Sequence, residues 1–217
     1  MRNPLSLPVI KFLPLALFLA FASPANPPTR AKAATGPQTY KIDPQQSHFM
    51  VHTGTSGFLG AFGHKHDIAI PGFSGEVSLN PEALEQSSLQ MQVQAASLVL
   101  TGKVKEKDKQ EIEKTMREQV LEVDKFPEIR FKSSSVAATK NPEGNYALKI
   151  TGDLTLHGVT KQVIVPGQLD LKSDSLQAQG SLPLKQTDFG IKPVSVAGGS
   201  IKVKDEVLLT FTIAAHP

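Results

Sequence analysis

The sequence predicts an all-β domain with one inserted helix, a barrel or sandwich of about eight short antiparallel strands. Three observations predict it. Strict apolar–polar alternation recurs in segment after segment, so each segment buries one face and wets the other. The period changes once, between Lys103 and Val123, to a helical spacing. Composition shows no second regime along the 217 residues, a length that suits one barrel or sandwich.

The elements follow in order. Tyr40 to Thr53 contains Phe49 and Val51 alternating with His48, Met50 and His52, which starts a strand near Ser47. Gly54, Gly57, Gly60 and Gly63 recur every third residue, too few triplets for collagen and suited to a turn or bulged strand. Gly63 to Asn80 reads as two strand segments broken at Pro71-Gly72. From Ser88 to Leu100, Leu89, Met91, Val93 and Ala95 oppose Gln90, Gln92 and Gln94, as in an antiparallel strand with its polar face in water.

Over Lys103 to Val123 the apolar residues are Val104, Ile112, Met116, Val120 and Val123, one narrow helical stripe among lysines and glutamates, aided by an i,i+4 pair of Glu113 with Arg117. Pro127 is expected to end the helix. So charged a helix does not suit a core; it is expected across a sheet or over one end of a barrel. Strands follow at Phe126–Ser133, at Tyr146–Leu156 after a turn at Asn141–Asn145, at Lys161–Leu171, at Ser175–Leu184 and at Glu206–His216.

Residues 1–33 stand outside this pattern. Arg2 and Lys11 precede an apolar run from Phe12 to Ala22, and small residues follow at Ser23, Ala25, Ala31 and Ala33. This reads as a secretory signal peptide, cleaved after Ala25 or Ala33, with an apolar run short of the about 20 residues that cross a bilayer. An uncleaved anchor is the alternative. Residues 34–39 are then a linker and 40–217 a single domain, periplasmic or secreted, with no stable membrane insertion once processed. The pI of about 9.0 belongs to the precursor. Of 23 Lys plus Arg, Arg2, Lys11, Arg30 and Lys32 lie in the leader, leaving 19 against 20 Asp plus Glu. That balance does not support a nucleic-acid surface. The chain has no cysteine, which excludes a lipidated cysteine, thiol catalysis and thiolate metal sites, and leaves the core to stabilise the fold unaided.

Catalytic motifs are missing. Gly72-Phe73-Ser74-Gly75 has the wrong spacing for a nucleophile elbow, and Asp188-Phe189-Gly190 stands without the other kinase motifs. No P-loop or dinucleotide fingerprint occurs, so no cofactor is expected. His64 and His66 would share one face of a regular strand, with His48, His52 or His157 as a third ligand; this metal-binding or metal-dependent alternative lacks an H-E-x-x-H motif. The plainer reading makes them polar groups at a turn or barrel mouth. His157, before Gly158, is expected to make a hydrogen bond that fixes the hairpin rather than to act in catalysis.

Several segments in order resemble the YceI-like family: Tyr40-Lys41-Ile42-Asp43 with Ser47, Phe73–Val77, Asp124–Ser133, Gly152–Thr160 and Asp188–Ile191. The similarity spans Tyr40 to Ile213. The resemblance implies an eight-stranded antiparallel lipocalin-like barrel with an inserted helix, an elongated cavity for a polyisoprenoid or similar long-chain lipid, and neither a catalytic residue nor a metal. Gly63–Ile68 and Gly102–Val120 depart from the family pattern, which bears on the headgroup end of the ligand.

By parity the candidate cavity wall comprises Phe49 and Val51; Leu89 and Met91; Ile129 and Phe131; Leu148, Ile150, Leu154 and Leu156; Val163 and Val165; Leu182 and Leu184; and Leu209, Phe211 and Ile213. The same residues would also describe a packed core. An eight-stranded barrel is wide enough to fill with side chains or to hold one small ligand. At about 0.8 kcal/mol per methylene, burial of a tail of roughly ten carbons gains roughly 8 kcal/mol before ordering costs. The expected role is an exported carrier, store or scavenger of isoprenoid lipid, with no enzymatic activity. A homodimer is left open.

Overall fold

Each alternating segment is a strand, and the strands follow one another around a ring. A computed structural model of the chain describes residues 36–56, 66–172 and 174–217. The expected signal peptide and His64 lie outside these residues. Thr35–Pro217 group as one compact unit.

The strands are β1 (Gln38–Ile42), β2 (His48–His52), β3 (Thr55–Ser56), β4 (Asp67–Ala69), β5 (Phe73–Leu79), β6 (Ser88–Gln94) and β7 (Val99–Thr101). Helix α1 (Glu106–Thr115) interrupts them. Then come β8 (Glu128–Lys140), β9 (Tyr146–Leu156), β10 (Val159–Leu171), β11 (Leu176–Lys185), β12 (Ser195–Val196), β13 (Ile201–Val203) and β14 (Glu206–His216).

Eight of these close a ring in the order β1-β5-β6-β8-β9-β10-β11-β14, with β14 pairing back onto β1 through Lys41↔His216 and Ile42↔Ala215. All ring pairings are antiparallel, so the fold is a closed eight-stranded lipocalin-like barrel with one helix. Closure removes the exposed edges that an open sheet would present. The first three staves are kinked, and β2, β4 and β7 continue β1, β5 and β6 toward the end of the barrel that carries α1. A small sheet, β12-β13-β3, accompanies this helix end.

The kink between β1 and β2 is held by Ser47, which is 2% exposed. Its Oγ donates to the Ala214 carbonyl at 3.1 Å and accepts from the Ala214 N–H at 2.9 Å. One side chain thus stands in for a missing rung of the ladder. Ser47→Ala leaves the Ala214 N–H buried and unpaired, while the carbonyl keeps its bond from the Asp43 N–H at 2.9 Å, and is expected to cost about 1–2 kcal/mol in urea unfolding. A loss under about 0.5 kcal/mol would mean that Ala214 finds other partners.

The helix is shorter than its periodicity suggests. After Thr115 it widens into one π-helical turn, Met116–Val120, with the Leu121 N–H bonded to the Met116 carbonyl at 2.9 Å. The segment then breaks at Glu122, whose φ is +44°, rather than at Pro127. A left-handed residue cannot continue a right-handed helix, so the stop precedes the proline. The Glu113–Arg117 pair forms as expected, at 3.2 Å. Glu113 also accepts the N–H of Leu100 at 2.9 Å, so the helix supplies a partner to the edge strand β7, which does not pair with β8.

His157 holds parts of the chain that its hairpin does not contain. Leu156↔Val159 closes β9 and β10 with His157 and Gly158 between them, at φ +51° and +73°, the positive pair of a two-residue type I′ turn. The His157 ring lies 2.9 Å from the Glu122 carboxylate and 3.3 Å from the Phe189 carbonyl. Phe126 packs on the same ring with centroids 4.4 Å apart. The hydrogen bonds expected to fix the hairpin have their partners outside it: the turn is set by backbone geometry, and the imidazole fastens it to two neighbouring loops.

Hydrogen bonds from Lys125 and then His157 hold the Glu122 carboxyl below its usual value of 4.5. A carboxylate depressed by folding contributes stability above its unfolded pKa, and the contribution disappears as pH falls through the lower folded value. Glu122→Gln is expected to flatten the loss of stability on acidification below about pH 4.5. Superimposable stability–pH curves for the two proteins would show that the carboxylate has no such role.

Candidate functional site

The barrel is hollow. A cavity of about 810 Å³ runs inside it, bounded by both the staves and the helix. Leu79, Leu84, Leu169 and Leu176, all buried, line it among other apolar side chains and are among the most buried groups of the end away from α1.

The residues that share inward parity converge on this space. Phe49, Val51, Leu89, Met91, Ile129, Phe131, Leu148, Ile150, Leu154, Leu156, Val165, Leu182, Leu184, Leu209, Phe211 and Ile213 all line it. Val163 does not. It packs against the core and borders a shallow outer groove instead.

Parity arguments missed other lining residues. Val77, Leu169, Leu176, Ala178 and Val207 share the alternation and were legible by the same signal. Val136 was not. A β-bulge between Ser133 and Ser135 moves the inward set of β8 from odd to even positions, so Val136 faces inward although Ile129 and Phe131 predict otherwise. From the helix, Ile112, Met116 and Val120 contribute the apolar stripe. The helix therefore walls the cavity rather than lying across an outer face.

Glycines shape the interior as much as side chains do. Gly152 faces the Phe131 ring and Gly180 the Phe211 ring: an added Cβ would lie 2.6 Å from Phe131 Cζ in the first case and 2.6 Å from Phe211 Cζ in the second. These rings rest against bare backbone, which leaves room beside them in the lumen. Phe49 joins Phe211 at 6.3 Å and meets Phe73 edge-on at 4.8 Å.

Polar groups are confined to a few places in the lining. Thr53, Thr55, His66, Asp108, Glu111 and Thr115 lie near α1 and β4. His66 sits just before β4, with its backbone tied to Thr53: the His66 N–H donates to Thr53 Oγ1 at 3.2 Å, and the Thr53 N–H to the His66 carbonyl at 2.9 Å. Among the described residues no group of three or more His, Asp or Glu side chains is placed to hold a metal ion.

A His–carboxylate–hydroxyl chain does occur, on the outer face. His52 Nδ1 lies 2.8 Å from Asp67 Oδ1, and its Nε2 lies 2.9 Å from the Thr210 hydroxyl. The three residues span β4, β2 and β14 and turn away from the cavity. His52 and Asp67 are 40% and 57% exposed, so the arrangement is a cross-strand tie over open solvent rather than a substrate site.

Fold and cavity together define a hollow barrel of the ligand-holding type. The chain belongs to the YceI-like family, whose domain model matches residues 40–215. Among curated relatives, a UPF0312 protein of Pseudomonas savastanoi pv. phaseolicola is 30% identical over 164 residues, covering 70% of this chain and 76% of that protein. A UPF0312 protein of Pseudomonas fluorescens is 35% identical over 132 residues, 58% of this chain and 60% of that protein. Of solved structures, Burkholderia cenocepacia BcnA superposes with a TM-score of 0.63 at 21% identity, over 80% of this chain and 98% of that one. A polyisoprenoid binding domain from Saccharophagus degradans gives 0.59 at 14% identity, over 82% and 97%. At these identities the structural likeness is one of fold. Among the described residues no helix is long and apolar enough to cross a membrane.

Proposed function

We propose that the protein binds a polyisoprenoid or similar long-chain amphiphile in the barrel cavity and serves outside the cytoplasm as its carrier, store or scavenger. The hollow apolar interior carries this reading. A packed barrel would need no ligand, whereas about 810 Å³ lined by leucine, valine, isoleucine and phenylalanine favours a flexible apolar chain, which gains about 0.8 kcal/mol per buried methylene without a charged anchor. The polyisoprenoid-binding domain of the same fold supports the ligand class, and the leader-like residues 1–33 support export. Leu154, Leu156, Leu209 and Phe211 are assigned to the tail, with the rest of the wall around them. The role is one of binding, with no reacting group assigned.

Native mass spectrometry of protein purified from its own host, followed by lipid extraction, is expected to show a co-purifying isoprenoid. Retinol, a fluorescent isoprenoid alcohol, should bind the purified protein with a blue-shifted, enhanced emission. Repeated recovery of empty protein, together with no retinol binding, would overturn the assignment.

A further inference from the structure

One pair of neighbouring ring strands, β10 and β11, runs side by side past the end of its own ladder. The ladder between β10 and β11 runs from Gly167↔Gly180 to Leu171↔Leu176 and no further. Beyond it, β10 pairs with β9 as far as Val159↔Leu156, and β11 pairs with β14 as far as Lys185↔Glu206. Over the half nearer the helix end, therefore, each of these two strands is fully bonded on its far side and unladdered on the side where they meet. Proline occupies both margins, Pro166 in β10 and Pro183 in β11, and each lacks an N–H with which to bond across.

Side chains along this seam connect inside with outside. Pro166 and Leu182 line the interior cavity and also the shallow outer groove. Ile164 and Pro183 belong to the same groove. Ile164 is 48% exposed and Leu208, directly opposite Pro183 in the ladder, 39% exposed. These two are the large apolar side chains that the described surface leaves most open. Lysine flanks them: Lys149 lies in the groove opposite Pro166, exposed Lys185 ends β11, and Lys161 reaches Asp188 at 3.2 Å across the strand ends. That ion pair is about half exposed on both sides, and such pairs hold weakly.

We propose that this seam is a lateral port, through which the apolar tail passes between the cavity and a lipid bilayer that Ile164, Pro166, Pro183 and Leu208 touch. Separating the strands here breaks no ladder hydrogen bond, only the exposed Lys161–Asp188 pair and, at the turn, the 3.3 Å contact of His157 with the Phe189 carbonyl. Parting any other two neighbouring strands of the ring would break a ladder, and the unpaired edge of β7 is bonded to the helix through Glu113. The exposed apolar residues meet the acyl region while the lysines meet anionic headgroups. A tail moving sideways stays in apolar surroundings throughout, whereas entry end-on past Asp108 and Glu111 would carry it through water. The proposal rests on the lipid-binding reading of the same cavity.

The absence of native cysteine permits a direct test. Ile164→Cys and Pro183→Cys, both on the outer face, are joined by a short bismaleimide with a disulfide in its spacer. Retinol transfer from phosphatidylcholine vesicles containing phosphatidylglycerol is then followed by stopped-flow fluorescence. The cross-linked protein is expected to load at least about tenfold more slowly, as for a closed gate, with reductant restoring the rate and the final retinol occupancy unchanged. Equal rates before and after reduction overturn the port. Hydrogen exchange on the ligand-free protein reads the seam independently of any lipid. Faster exchange of Ile164 and Ser181, whose N–H groups face the seam, than of Gln168 and Gln179, whose N–H groups face each other across the ladder, is expected, and equal protection in both halves overturns the port even when retinol binds. Faster seam exchange in a wild-type protein that takes up no retinol would instead leave the opening in place and remove the lipid-binding reading.

Discussion

Leu154→Glu is expected to abolish retinol binding while leaving the barrel folded. Leu154 is 8% exposed and lies on the cavity wall, in register with Phe131 of β8 and Lys161 of β10. A carboxylate there must either lose its water or keep water in the space that the tail needs, and both outcomes oppose an apolar ligand. The expected loss is about 3 kcal/mol or more, roughly a hundredfold or greater in affinity. Because the space in front of Leu154 is open, an introduced carboxylate has room to keep water around it in the apo protein, which is expected to lose only about 2–3 kcal/mol of stability. Fluorescence titration and urea unfolding measured side by side decide the matter. Unchanged retinol affinity would remove Leu154 from the binding surface. Unfolding in place of selective loss would mean that the interior is a packed core.

Gly180→Ala should produce the largest destabilisation of any single methyl addition in the barrel. The new Cβ would lie 2.3 Å from the Pro166 carbonyl oxygen and 2.6 Å from Phe211 Cζ. The ring can rotate; the carbonyl belongs to β10 and can move only by displacing the strand. Overpacking of this kind costs about 1–3 kcal/mol, and the backbone contact places this case at the upper end. Phe211→Leu in the same chain is expected to recover little, since the clash with Pro166 remains. Gly36→Ala serves as the control, with nothing within 4 Å of its added methyl. A Gly180→Ala protein with wild-type unfolding would show that β10 and β11 separate freely even where they are laddered.

The two expected effects concern opposite sides of one design. Leu154 represents the apolar face that encloses the ligand, and Gly180 the bare backbone that keeps the aromatic rings from filling the lumen. Alternation exposed the first of these in the sequence. It gave no indication of the second, because a glycine at an inward position reads only as a missing side chain until the neighbouring ring is located.

The segments that carry the family resemblance meet in space, though far apart in sequence. Phe126 from the Asp124–Ser133 stretch packs on His157 from the Gly152–Thr160 stretch. His157 in turn contacts the Phe189 carbonyl within Asp188–Ile191. Ser47 grips Ala214 of the last strand. Their hydrogen-bonding side chains lock the barrel together, and among them the aliphatic and aromatic inward positions touch the cavity. A resemblance built on such residues speaks clearly about fold and less directly about ligand.

What the sequence determined by itself was the local order: where strands run, which face of each is apolar, where one helix intervenes, and that Glu113 and Arg117 pair across one helical turn. These follow from period and neighbour spacing, which act over a few residues. Tertiary structure alone decided the rest. The bulge at Ser133/Ser135 reversed the inward set within β8, the left-handed Glu122 stopped the helix before its proline, and His157 was directed to two distant loops instead of its own hairpin. The hollow interior is also a tertiary result, since an apolar face has the same sequence pattern whether it meets another side chain or empty space. Only the closed ring, with rings laid over glycines and the helix set into the wall, fixes how much of that space is left.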